Sequence, residues 1–275
     1  MVFVDTHAHL RGCFEVRAFL EGALTNFARE VESIDEKSGM TSVLCLMDPP
    51  RARGYERLSR FVAEGEGEKG EGKRVAEKGA FQRTAEEESL HLRLGQSRNL
   101  IVIAGRQIES QEHLEVLAVG TRGHFTSEAP LEQLIREIAT VGGLPIVPWG
   151  AGKWWGTRGE RLRELLQDAD LPRFFLGDSA QRPSVWPKPS HFSLAGRHDV
   201  RTLLGTDPLP LSDEAKRVGS CGVRLSGRLD LEKPAHDLKR TLLDPATPLR
   251  YFGERETLPR VLRNQALMQY RKFVQ

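Results

Sequence analysis

Short apolar runs bounded by Gly, Pro and Asp alternate along this chain with segments whose apolar residues recur every three or four positions. Val2-Phe3-Val4 is the first run, and its continuity predicts a buried strand rather than a half-exposed one. Leu20, Leu24, Phe27, Val31 and Ile34 follow at helical spacing, and Gly39 ends that helix. Residues 41–47 predict a second buried strand, stopped by Asp48-Pro49-Pro50. Runs at 100–104, 113–119, 144–147, 173–178 and 200–205 predict five more, with 222–225 an eighth. The third and fourth are joined by a connection of hairpin length, too short for a crossover helix. Pro130 opens a helix with Leu131, Leu134, Ile135 and Ile138 on one face; a further helix at 158–167 carries Leu162, Leu165 and Leu166. A last helix bears Leu258, Val261, Leu262 and Met268. Strands alternating with helices predict a mostly parallel sheet, and seven or eight of them predict a distorted (β/α) TIM-like barrel of class α/β.

Residues 63–97 break this pattern. Glu64 to Lys73 is a low-complexity Glu/Gly/Lys tract that cannot bury enough to offset its ordering entropy. The expectation is therefore one barrel domain over residues 1–275, carrying a charged insertion at about 63–97. The insertion lowers the hydrophobic content to 39%, which still leaves material for a substantial core. A net charge of +2 gives no global case for nucleic acid or an anionic membrane. No apolar stretch reaches membrane-spanning length, and residues 2–5 do not resemble a secretion signal. Cys13, Cys45 and Cys221 form no paired motif, so reduced thiols and a cytoplasmic location are expected.

The chemistry concentrates directly after the first strand, in Asp5-Thr6-His7-Ala8-His9. Residues two apart on an extended chain point the same way, so His7 and His9 can aim both imidazoles at one point beyond the strand end. Such a pair suits Zn²⁺, Mn²⁺ or Fe²⁺, with Asp5 or a nearby carbonyl holding one ring's second nitrogen. Most other predicted strands also end in polar residues: Asp48, Gln107 and Glu109, His113 or Glu115, Trp149 and Lys153, Asp178, Asp207. In a barrel these strand ends share one face. The stretch 149–156 is rich in glycine and tryptophan; its glycines let backbone approach a ligand, Trp149 walls a pocket and Lys153 can hold an anion. Arg106, Arg158 and Arg182 near the same rim favour an anionic small-molecule substrate. His91, His124, His191, His198 and His236 read as surface residues.

The opening Asp-x-His-x-His resembles the start of the metal-dependent hydrolase barrels: the amidohydrolase superfamily, the TatD-like nucleases and the PHP phosphoesterases. Leu203-Leu204-Gly205-Thr206-Asp207-Pro208 is similar to the last-strand segment of the first two. There the Asp binds metal and takes a proton from the attacking water, the role the resemblance implies for Asp207. The middle of the chain resembles the PHP enzymes, whose Gly-x-Glu-Ile-Ser...His-x-Leu-Ala-x-Gly pattern is similar to 105–110 followed by 115–120. Their Glu position holds Gln107, with Glu109 two residues on, and their His position falls near Glu115. The middle-strand His of these superfamilies is replaced by Pro148-Trp149. The resemblance thus implies a single zinc, manganese or iron ion held by His7, His9 and Asp207, with Glu109 or Asp178 as further ligands.

The expected activity is hydrolysis of a phosphoester, amide or lactone by a metal-activated water, with Asp207 as catalytic base and Arg106, Lys153 and Trp149 contacting the substrate. The alternative is a hydrolase-like barrel that has lost catalysis and serves as a binding or assembly subunit. A TatD-like nuclease is disfavoured by the near-neutral charge, although the C-terminal helix is basic.

Overall fold

The strand Val2–Ala8 (β1) lies inside the sheet, third from one end of its strand order, and is buried along its whole length. The computed structural model describes residues 1–32, 40–65, 80–94 and 98–274. β1 pairs in parallel with β2 (Met40–Asp48), which pairs in parallel with β5 (Arg98–Glu109). β5 turns back through a hairpin into antiparallel β6 (Glu115–Val119), and β6 pairs antiparallel with β7 (Leu144–Pro148). β7, β8 (Phe175–Ser179) and β9 (Thr202–Gly205) then run parallel. On its other side β1 carries β10 (Cys221–Leu225), which carries β11 (Arg250–Gly253), both antiparallel.

The sheet curls until β9 returns to β1. The Thr6 hydroxyl donates to the Leu204 carbonyl at 3.0 Å, and the Asp207 N–H to the His7 carbonyl at 2.7 Å. Gly205 faces this seam, where a Cβ would overlap the His7 backbone. The result is a mixed α/β fold around a nearly closed, barrel-shaped sheet. Helices separate β1 from β2 (α1, Val16–Glu32), β6 from β7 (α3, Leu131–Thr140), β7 from β8 (α4, Gly156–Gln167) and β8 from β9 (α5, Ser190–Arg197). Alternation breaks at the β5–β6 hairpin and again after β9, where a 3₁₀ turn (Ser212–Arg217) leads to β10. The expected eighth strand, β10, is antiparallel and flanks β1 instead of following β9 in the barrel.

Two-residue periodicity sorts the strand side chains into layers. Ile101 and Ile103 of β5 join Val4, Val43, Leu117, Ile146 and Leu203 on the inner face. Leu100 and Val102 point outward, where Phe19, Phe27 and Leu58 from α1 and α2 (Gly54–Gly65) cover them. α3, α4 and α5 cover the far side through Leu134, Ile138, Leu162 and Phe192. α6 (Pro234–Leu243) packs Leu238 and Leu242 into the inner cluster at the end remote from His7. α7 (Leu258–Val274) closes the described chain.

The stretch read as one insertion is divided. Residues 80–94 form a hairpin of β3 (Ala80–Arg83) and β4 (Ser89–Leu94), and β4 pairs antiparallel with β5. Leu92 is buried against the outer face of the sheet, so this part belongs to the fold; its alternating residues 90–93 are a strand pattern hidden beside a low-complexity neighbour. Glu64 and Gly65 end α2, while the rest of the tract, the residues after it to 79 and residues 95–97 lie outside the described residues, as do Ile34 and Gly39. Two histidines read as surface residues are buried: His91 against Asn99 at 2.8 Å and His191 against the Gly159 carbonyl at 3.0 Å. Each polar sequence neighbourhood concealed a specific buried partner. Cys45 is buried in the inner cluster.

Candidate metal centre

The parallel strands β1, β2, β5, β7, β8 and β9 point their carboxyl ends the same way, so His7, His9 and Asp207 share one end of the barrel. The β1–β2 register shifts between Asp5 and Ala8, beside the two residues whose rings meet at the mouth. The two Nε2 atoms lie 2.9 Å apart, and Asp207 Oδ1 is 3.7 Å from that of His7 and 3.5 Å from that of His9. Bonds of about 2.1 Å at a tetrahedral angle place ligand atoms about 3.4 Å apart, close to this spacing.

His9 Nδ1 donates to the Met47 carbonyl at 2.6 Å, which fixes the tautomer and leaves the Nε2 lone pair aimed at the cluster. That carbonyl, at the end of β2, takes the orienting role for which Asp5 was the other candidate. Asp5 instead accepts from the Thr206 N–H at 2.9 Å, the Thr206 hydroxyl at 2.5 Å, the Gly219 N–H at 3.0 Å and the His7 N–H at 3.2 Å. Burial pushes its carboxyl up to about 6 against the pull of these donors, so it is ionised at neutral pH and ties β1 to the end of β9.

Burial lowers the His7 pKa to about 4 and depresses that of His9, so both imidazoles are neutral at physiological pH. Burial would raise the Asp207 pKa, but the imidazoles, charged only at acid pH, and Arg11 hold it below the usual carboxylate range. Arg11 is a neighbour the sequence reading passed over. It donates to the Pro208 carbonyl at 3.1 Å and stands 3.7 Å from Asp207. Its position two residues after His9 was the available signal. Asp207 itself has φ of 44°, an uncommon conformation for a non-glycine residue, held by its bond to His7.

Two neutral imidazoles and an ionised carboxylate within one coordination sphere fit a borderline divalent ion, zinc, manganese or iron. Among the described residues no other group of His, Cys, Asp and Glu converges in this way. Glu109 and Asp178, the other ligand candidates, stand apart. Glu109 is exposed and pairs with His113 at 2.9 Å at the tip of the β5–β6 hairpin. Asp178 is enclosed by Arg182, at 2.9 and 2.8 Å, and Arg255 at 2.5 Å. Arg182 is thereby buried in an ion pair rather than free at the rim.

Lys153 pairs with Glu115, whose charge acts on both His7 and Arg11, so this pair overlooks the cluster. Gln107 follows Ile101, Ile103 and Gly105 in the inward alternation of β5, and its Oε1 is buried without a hydrogen-bond partner. Arg106 points the other way, into a groove of about 450 Å³ bordered by Arg53 and His124. Trp149 packs edge-on to Trp186, ring centroids 6.3 Å apart. Asp48 caps α2, accepting from the N–H groups of Gly54 at 2.8 Å and Tyr55 at 3.1 Å.

No family model and no curated protein matches the sequence. Among solved structures the chain is similar to PsfC from Pseudomonas syringae PB-5123, at 14% identity and a TM-score of 0.53, covering 97% of each chain. At that identity the likeness is one of fold alone. Among the described residues no helix is long and apolar enough to cross a membrane.

Proposed function

We propose that this protein is a metal-dependent hydrolase built on a divergent TIM-like barrel, acting on a small anionic phosphoester, amide or lactone in the cytoplasm. The observation that carries the reading is the convergence of His7, His9 and Asp207 from opposite ends of the barrel sequence onto one point at its mouth. Three protein ligands are what a catalytic site offers, since a fourth position must stay open for water or substrate. A divalent ion in this position supplies a water of lowered pKa and polarises the bond to be cleaved.

The chain's own contributions follow from the contacts. The Met47 carbonyl keeps His9 in the ligating tautomer, and Asp5 keeps the His7 backbone against the end of β9. Asp207 stays ionised at every physiological pH; as a base it holds the proton of the attacking water only briefly and passes it to the leaving group. Arg11 and Lys153 stand at the mouth, each paired with a carboxylate, Asp207 and Glu115, and are the cations an anionic substrate would meet there.

The test is metal analysis of protein purified without chelator, followed by phosphoesterase, amidase and lactonase assays with added Zn²⁺ or Mn²⁺. His7→Ala and His9→Ala are expected to abolish stoichiometric metal while the protein stays folded. Asp207→Asn is expected to weaken metal binding modestly and cut turnover by about 10²–10⁴. Absence of bound or bindable metal refutes the proposal. The alternative, a catalytically silent binding or assembly barrel, draws on the commitment of Glu109 and Asp178 to other partners and on Trp149 at the middle-strand position. It predicts metal binding without turnover on any of the three substrate classes.

A further inference from the structure

All four tryptophans of the chain line one cleft of about 500 Å³. Trp149, Trp154 and Trp155 come from the loop after β7, and Trp186 from the loop after β8. Both loops leave the carboxyl ends of parallel strands, so the cleft opens at the same end of the barrel as His7 and Asp207.

Packing accounts for only half of these rings. Trp154 is buried against Phe192 at 5.1 Å and His191 at 5.4 Å, while Trp149 is buried edge-on to Trp186. Trp155 is 65% exposed and Trp186 39% exposed. Large aromatic surface kept in water at the rim of a concavity marks a binding site more often than a core. A second observation is independent of exposure. The indole N–H of Trp154 is buried and has no hydrogen-bond partner among the described residues, an uncommon state for a donor that normally finds one.

The polar lining narrows the ligand class. Arg163 and Lys188 supply two cations against the single carboxylate of Glu160. Lys188 lies over the Phe192 ring at 5.9 Å, and Arg163 donates to the Ser190 hydroxyl at 2.8 Å. Neither is neutralised by an ion pair among the described residues, so the cleft presents flat π-faces beside uncompensated positive charge. A quaternary ammonium would be repelled. A neutral sugar would leave both cations unused.

We propose that this cleft binds a planar aromatic anion, a flat ring system carrying a phosphate or carboxylate, with the ring against Trp155 and Trp186 and the anion at Lys188 and Arg163. The site does not depend on the hydrolase reading, since none of its residues belongs to the metal cluster.

The experiment titrates the purified full chain with adenosine 5′-monophosphate as probe, following tryptophan fluorescence and heat of binding. Adenosine, inorganic phosphate and maltose are titrated in parallel. The probe is expected to quench fluorescence saturably, with adenosine and phosphate each at least about tenfold weaker and maltose silent. Trp186→Ala and Trp155→Ala, both exposed and therefore expected to fold, should each weaken the probe about tenfold or more. Lys188→Ala should weaken the probe but leave adenosine unchanged, which separates ring from anion recognition. No saturable binding of the probe at millimolar concentration, equal binding by folded Trp186→Ala, or a preference for maltose overturns the proposal. Because the readout is binding, a failed hydrolase assay leaves it intact, and loss of probe binding leaves the metal centre intact.

Discussion

Asp178 sits between two guanidiniums: Arg182 holds it through two hydrogen bonds and Arg255 through a third. Burial would raise its pKa, but Arg182 and Arg255 outweigh burial and keep it below its ordinary value of 3.8. A depressed carboxylate contributes stability that is complete above the unfolded pKa and is lost as pH falls through the lower folded value. Unfolding in urea should therefore become easier as pH drops below about 4. Asp178→Asn should cost on the order of 3–5 kcal/mol at neutral pH, because it leaves the buried Arg182 charge uncompensated. The variant should also lose part of the acid dependence. Equal stability of wild type and variant would count against this account. The contrast with Asp207 is one of surroundings: both carboxylates end strands, but one faces arginines and the other faces neutral imidazoles with Arg11 behind.

At the scale of elements, the β3–β4 hairpin fills the edge of β5 that β6 leaves unpaired. β4 pairs with residues 98–103 of β5 and β6 with residues 105–109, so one long strand serves two partners on the same side. This closes hydrogen bonds that an exposed edge would leave open. Leu92, 1% exposed, anchors the hairpin in the outer core. Leu92→Ala is expected to cost about 2–4 kcal/mol in a denaturation experiment, whereas Gln82→Ala on the exposed face of β3 should stay within about 0.5 kcal/mol. A loss no larger at Leu92 than at Gln82 would mean that the hairpin is not part of the cooperative fold.

At the scale of the whole molecule, the contacts that close the barrel are the ones that bring the candidate metal ligands together. Asp5 takes two donors from Thr206 and one from Gly219, and its neighbour His7 receives the Asp207 N–H on its carbonyl. Asp5→Ala strands buried donors and should cost on the order of 3–5 kcal/mol. It should also weaken Zn²⁺ binding, measured by competition with a chelating dye, although Asp5 touches His7 only at its backbone N–H and no ligand atom. Unchanged Zn²⁺ affinity in a folded Asp5→Ala protein would separate closure from the site.

Local pattern carried a good deal of this. Continuous apolar runs placed β1, β2 and β5 to β10 to within a few residues, because burial on both faces demands unbroken apolar sequence. Helical spacing placed α1, α3, α4 and α7 for the corresponding reason. The two-residue spacing of His7 and His9 marked the converging pair, since strand geometry alone makes i and i+2 point together. Short or polar elements escaped: β11 has one buried residue, and α6 is broken in sequence by Asp237 and Lys239. What only the tertiary structure decided was which strand-end polar groups meet. Asp48 goes to a helix cap, Glu109 to a hairpin tip and Asp178 to arginines, while Asp207 reaches the imidazoles. Their local sequences are alike, an apolar run followed by a carboxylate. Their fates differ because strand order and register, set by closure of β9 onto β1, fix which side chains share the few ångströms over which ligand and ion-pair contacts act.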